Sequence, residues 1–392
     1  MLTLSCAVPT AQFQQDRPRR FWRTLRTRIC KWKYRKVGWL LEKLLRASYS
    51  LRDYRAPALA GAASFALSFA ISCVFDQNLN PLRGPVPLSS ISIATVFFLA
   101  WVTSLDKASD SLAVYLRRSR ARGALVGILA VTGYSDEDYK KSPYLRGTNY
   151  SPNQWQTKCN EQGLEAQLIY DFANLSQFSI IINPFGELYL EEDLANFKAF
   201  HAIKKYIRHG GVFLNVGGLA FYYALDLKSG VEMLTGPPFE TYKIVKAGSD
   251  LLLERVVLAE MASVVDTLLF EQFGVRTAFG VGQEYETLVD EGFPELPKPN
   301  FKINVFRCAI RTENLGTRLV PIVRYRYYHK PDQGQPATLH EAFPIAAVHH
   351  DAGYLVVCGM RIDSDDAFNY CAECARIVLN RLCRTGSLTP LD

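Results

Sequence analysis

Two runs without a charged residue, Pro57–Phe75 and Val86–Leu105, interrupt a chain whose other apolar residues fall in short clusters between polar ones. They are 19 and 20 residues long. As a helix, each spans about 30 Å of hydrocarbon. The link Asp76–Pro85 is short and rich in turn formers, so the pair predicts a two-helix transmembrane hairpin over 56–105. A pair of buried globular helices fits less well, because neither run carries the polar face of a soluble helix. Ala58, Ala62, Ala66 and Ala70 recur every fourth residue along the first run. Small residues at that spacing let helix backbones approach closely. That face is expected to pack on the second span or on another copy of the chain.

From Gly123 the pattern changes to short apolar runs alternating with amphipathic ones. Ala124–Val131 is continuously apolar, as a strand buried on both faces should be. Ser151 and Pro152 form a helix start, with the helix running to about Gln162 and stopped by Gly163. Ala166–Tyr170 and Ser179–Ile182 read as strands. Glu191–Arg208 reads as a helix, acidic at its start and basic at its end, which suits the macrodipole. Val212–Val216 is a fourth strand, and Leu219–Ala224 begins a further helix. Ile180–Ala224 is therefore expected to be a βαβ unit whose two strand-end loops share one edge of a sheet. The alternation predicts an α/β fold, a doubly wound and mostly parallel sheet over 123–384.

After Asp226 the signal weakens. Residues 227–300 read as an insertion, with two helical runs at Leu251–Met261 and Ser263–Phe273. Lys302–Arg311 and Leu319–Tyr328 alternate and are expected to pair as a hairpin. Ile345–Val348 and Tyr354–Cys358 are short strands. A helix over about Asp365–Arg384, capped near Ser364, closes the domain and leaves 385–392 as a tail.

Charge sharpens the membrane reading. The net charge of +7 is uneven: residues 1–55 hold 14 Lys/Arg against 3 Asp/Glu, and the rest hold 31 against 35. In Arg17–Lys36 the bases interleave with Phe21, Trp22, Trp32 and Tyr34. Anionic lipid is the favoured partner of this arm, each base adding about 1 kcal/mol near the surface. Nucleic acid is a weaker alternative, and a solvated tail is a third. Gly38–Tyr54 places Leu40, Leu41, Leu44, Leu45 and Leu51 along an amphipathic helix at the membrane surface. Arg117, Arg118, Arg120 and Arg122 follow the second run in a basic connector, 106–122, whereas the ten-residue link has only Arg83. The positive-inside rule then puts both termini and the large domain on the cytoplasmic side of the cell membrane. Nine cysteines without disulfide spacing agree with a reducing compartment. Residues 1–16 do not form a secretory signal.

Candidate chemistry gathers at the predicted sheet edge. Thr132 and Gly133 end the first strand; Asn183, Gly186 and Glu187 follow the third; Gly217 and Gly218 follow the fourth. Glycines there permit close backbone approach, and amides at a helix start suit an anion or a carbonyl oxygen. Glu187 would accept from a ligand hydroxyl; alternatively it caps the next helix and the glycines only make a turn. His349 and His350 are further acid–base candidates, although neighbours on a strand face opposite ways. Cys371 and Cys374 form a lone CxxC within a helix, too few ligands for zinc. No Walker lysine motif and no GxGxxG after a strand occurs, so no cofactor is expected.

The GGVFLNVGG strand and turn, the INPFGE crest and the late HHDAGYLVVCGM strand resemble the class I glutamine amidotransferase-like fold, a flavodoxin-like α/β sandwich. The nearest branches are ThuA-like and β-galactosidase-associated. The resemblance covers 122–384. Active members of the family carry a cysteine on the turn after the fourth strand; here Val216–Ala220 has no Cys, Ser or Thr. Without a nucleophile, acyl-enzyme chemistry has no starting atom. The family's His-x-Glu pair is also missing, since His340 and Glu341 are adjacent. The resemblance thus implies a member without amidotransferase activity, acting as a ligand-sensing, binding or scaffolding module. The alternatives are a hydrolase or isomerase of a carbohydrate-like substrate, using Glu187 with His349 or His350, and a membrane-perturbing effector triggered by ligand.

Overall fold

The computed structural model describes residues 42–43, 110–141, 148–228, 231–234, 241–247, 250–253, 269, 273–279, 285–303, 307–310, 318–329 and 338–388. The expected hairpin, its alanine face and the arm apart from Glu42 and Lys43 lie outside these residues. Among the described residues no helix is long and apolar enough to cross a membrane.

A helix over 110–123, α1, leads into β1 (Leu125–Leu129). Then come α2 (Asp136–Lys141), α3 (Pro152–Glu161), β2 (Glu165–Ile169), β3 (Ile180–Asn183) and β4 (Leu188–Glu191). Next are α4 (Lys198–Arg208), β5 (Val212–Val216), β6 (Tyr223–Asp226), β7 (Val231–Leu234), β8 (Thr241–Ala247) and β9 (Asp250–Leu253). The chain continues with β10 (Arg276–Phe279), β11 (Tyr285–Val289), β12 (Arg307–Ile310), β13 (Arg318–His329), β14 (Thr338–His350), β15 (Gly353–Cys358) and α5 (Asp365–Thr385).

The fold is mixed α/β. Strands β2, β1, β3, β5 and β15 lie side by side, every neighbouring pair parallel. β1, β3, β5 and β15 are buried throughout and mostly apolar because helices cover both faces, whereas the edge strand β2 exposes Glu165 and Gln167. Trp155 and Cys159 of α3 and the apolar stripe of α5 pack on one face, with Val126, Ile182 and Leu214. Phe200, Ile203 and Ile207 of α4 pack on the other, with Leu125, Ile181 and Phe213. β14 then adds to β15 in antiparallel fashion and carries β13 and β12 outward.

Local signals worked where they were strong. Ser151 and Gln154 complete a reciprocal capping box at α3, and Ser364 caps α5 through Ala367 N–H. Four expectations are corrected. Leu188–Glu191 is a strand and the helix begins only at Lys198; no helix follows β5, because residues 219–222 turn into β6. β4 and β6 pair with each other and seed a second sheet, β4-β6-β7-β8-β9. β12 and β13 do not pair: β12 joins β10 and β14, while β13 joins β11 and β14. The 227–300 stretch is thus shared between two sheets, and its first predicted helical run begins as β9.

Candidate functional site

The predicted crest exists as a place, and it is filled. The loops after β3 and β5 are neighbours, tied by the backbone bond from Tyr223 N to Glu187 O at 2.9 Å. Two fully buried asparagines stitch them from below. Asn183 Nδ2 donates to Leu188 O at 2.9 Å and to Asn215 Oδ1 at 2.7 Å. Asn215 Nδ2 donates to Gly186 O and Gly218 O, each at 2.9 Å. Phe185, Glu187, Leu219, Ala220, Phe221 and Tyr222 are all buried above them.

Phe221 sits at the centre of an aromatic cluster, with ring centroids of Phe200 at 5.1 Å, Tyr189 at 5.4 Å and Phe213 at 5.5 Å. Its φ is +59°, a left-handed conformation costly for a bulky residue and held by this packing. Gly217 and Gly218 also have positive φ, +87° and +156°. A Cβ on Gly218 would lie 2.5 Å from Glu187 Cγ, so the glycine serves close packing against the neighbouring loop. With no helix after β5, the Gly217 and Gly218 amides gain nothing from a helix dipole, and the anion-site argument lapses.

The carboxylate that does cap a helix is Glu191. It is fully buried and accepts from Ala199 N at 2.6 Å and Phe200 N at 3.1 Å, and also from Glu192 N. An acceptor placed against the free amides at the start of α4 is a structural use of negative charge.

The predicted site residues divide into three groups. Asn183, Gly186, Glu187, Gly217 and Gly218 are brought together and buried. Thr132 and Gly133 stand exposed in the turn after β1. His349 and His350 lie at the opposite edge of the sheet. His350 faces Gly353 at the start of β15, whereas Gly218 bonds Cys358 at its end. Five residues of strand put the edges about 16 Å apart. Glu187 and the histidines are not brought together.

Each histidine has a packing partner: Tyr354 for His349 at 4.9 Å, and Phe273 for His350 at 4.8 Å. Burial, helped by Arg117 and Arg318, pushes the His349 pKa down to about 4. His350 is lowered too, chiefly by burial and against the pull of Asp351.

Cys358, at the end of β15 beside the crest, was not singled out by the sequence pattern. Its buried Sγ is 3.3 Å from Cys371 Sγ. The Cys371 thiol, followed by the Met360 and Gly217 amides, lowers its pKa against the cost of burial. Only the pairing of β15 with β5 places it there. The CxxC cysteines Cys371 and Cys374 are buried in α5. Among the described residues, no group of three or more potential ligands could hold a metal.

Open space lies elsewhere. A groove of about 380 Å³ runs between α3 and α5, lined by Asp136, Tyr150, Asn153, Asp365 and Phe368 among others. Several of its polar groups bond one another: Asp136 accepts from Ser151 and Asn153, and Tyr150 donates to Asp365 at 2.6 Å.

No protein-family model matches the chain, and no curated protein does. Among solved structures, Gan42B, a GH42 β-galactosidase, is 12% identical, with 73% of this chain and 33% of that chain covered at a TM-score of 0.34. A β-galactosidase from a Rahnella species is 12% identical, covering 72% and 35% at 0.35. One from Bacillus circulans is 10% identical, covering 65% and 31% at 0.34. The chain spans about a third of the length of each. TM-scores this low carry neither fold nor activity to this chain.

Proposed function

We propose that this chain is a membrane-anchored, cytosol-facing α/β module of the amidotransferase-like kind that scaffolds partners and turns over no substrate. The observation that carries the reading is the filled crest. The edge where such sheets bind ligands is occupied by the chain's own Phe185, Glu187, Phe221 and Tyr222 over the Asn183–Asn215 pair. The turn after β5 has no Cys, Ser or Thr. The strand order β2-β1-β3-β5-β15, with helices on both faces, supports a flavodoxin-like architecture. The uncharged runs 57–75 and 86–105 support the anchor.

The test uses the full chain in lipid nanodiscs, assayed for ammonia release from L-glutamine and for hydrolysis of aryl β-galactosides. No turnover above the protein-free control is expected. Turnover that Glu187→Gln abolishes would overturn the scaffold reading in favour of a carbohydrate enzyme. Alkaline carbonate washing of membranes tests the anchor separately; extraction of the chain would remove it.

A further inference from the structure

Three cysteines share one core cluster where α5 crosses the end of β15, and the scaffold reading uses none of them. Cys358 is the last residue of β15, paired in register with Val216 of β5. Cys371 and Cys374, the CxxC of the sequence, lie three residues apart on α5. Each of the three is 2% exposed or less. The motif alone suggests that Cys371 and Cys374 partner each other. The fold brings a different partner to Cys371: its Sγ is 3.3 Å from Cys358 Sγ.

We infer that Cys358 and Cys371 are a reversible dithiol–disulfide pair oxidised by peroxide, with Cys358 the attacking sulfur and Cys371 the resolving one. The contact between strand end and helix carries the inference. Disulfide sulfurs stand about 2.05 Å apart, so from 3.3 Å the two need close by only about 1.2 Å.

The surroundings assign the roles. The Cys371 thiol donates to Cys358 and lowers its pKa, helped by the Met360 and Gly217 amides and opposed by burial. The same bond and burial push Cys371 up. Burial also raises Cys374, which stays a thiol. Cys358 is therefore the sulfur that carries negative charge, and the thiolate is the nucleophile.

The Cys358 thiolate attacks a peroxide oxygen; the O–O bond breaks, hydroxide leaves and a sulfenic acid forms. The Cys371 sulfur then attacks the Cys358 sulfur, gives up its proton and displaces the hydroxyl as water. Two thiols and one hydrogen peroxide become one disulfide and two waters. A dithiol reductant restores both thiols. Burial makes the pair selective for a small oxidant. The Gly218 amide bonds Cys358 O at 3.0 Å, so the crest turn lies against the strand end. Local opening of that turn admits a molecule little larger than water.

The test maps thiols in the folded full chain, in detergent, after dilute hydrogen peroxide. The sample is then unfolded, alkylated, digested with trypsin and read by mass spectrometry. Cleavage after Arg361 separates Cys358 from the peptide that holds Cys371 and Cys374. A Cys358–Cys371 link is expected in most chains, and dithiothreitol should remove it. Cys374→Ser should keep the link, and Cys371→Ser should abolish it. Recovery of Cys358 and Cys371 as alkylated thiols, at peroxide levels that oxidise the partly exposed Cys383, overturns the pair. So does a Cys371–Cys374 link in its place. A Cys358–Cys371 link equally frequent when peroxide is added in guanidinium also overturns it, because the fold would then not select the partners.

Discussion

Asn183 and Asn215 occupy matching positions on adjacent parallel strands, and the 2.7 Å bond between their amides turns two loop ends into one unit. Asn215 also serves Gly186 O and Gly218 O. Asn215→Leu keeps the branched shape but withdraws both donors, leaving two buried carbonyls without their amide partner. Each such loss costs about 1–3 kcal/mol. The variant should lose about 3 kcal/mol, seen as a clear drop in melting temperature of the full chain in detergent. An unchanged melt would mean that the crest is not braced by this pair.

Gly218 tests the same plug from the other side. A methyl group there meets Glu187 Cγ at 2.5 Å and Glu187 N at 3.1 Å, at a φ of +156°. Gly218→Ala should destabilise by roughly 1–3 kcal/mol through overpacking and backbone strain. Glu187→Ala removes the nearer of the two obstructing atoms. The double variant should therefore be more stable than the two single costs added together, a coupling that a double-mutant cycle resolves. Strict additivity would show that the two residues do not meet.

These crest contacts mark where the sequence stopped being legible. Val212–Val216 is readable because it is apolar apart from Asn215 and ends in glycines, and it matches β5 residue for residue. Ser151 and Pro152 announced α3 by capping chemistry alone. Leu188–Glu191 is not legible as a strand, because Glu191 opens an acidic stretch that reads as the start of a helix. What makes it a strand is pairing with Tyr223–Asp226, some 35 residues away, which local periodicity does not record. The four connector arginines looked alike for the same reason. Only packing separates Arg117 and Arg120, which are buried and donate to the Gly386, Ala352 and His209 carbonyls, from Arg118 and Arg122, which stay half-buried.

The Arg120–Glu42 contact makes an asymmetric prediction. Both side chains are 5% exposed. Arg120→Met withdraws donors from His209 O and from a buried carboxylate at once; breaking such a pair costs about 3–5 kcal/mol. Glu42→Gln keeps an acceptor oxygen for the guanidinium, and Arg120 retains His209 O, so a smaller loss of about 1 kcal/mol is expected. Limited trypsin digestion offers a second readout, since cleavage in the 1–55 arm should quicken much more in Arg120→Met than in Glu42→Gln. Equal effects of the two variants would refute the docking of the arm through this pair.

The histidines at the base predict how stability depends on pH. His349, with a folded pKa of about 4 set by burial, Arg117 and Arg318, stays neutral where the unfolded chain takes up a proton near pH 6.5. Between those values the unfolded state binds more protons, so folding stability rises with pH. Its contribution is complete above about pH 6.5, declines as the pH falls toward 4, and changes little below. His350 is shifted in the same direction, opposed by Asp351 and aided by Lys204 and Arg208, so it adds to the slope. Because both rings are partly exposed, the His349 share is on the order of 1–3 kcal/mol. His349→Gln removes that proton from the balance and should narrow the gap between melting temperatures at pH 7 and pH 5. His349→Gln combined with His350→Gln should narrow it further. A gap as wide in the double variant as in the wild type would assign the acid sensitivity to other groups, and the two rings would then be no more than packing between Tyr354 and Phe273.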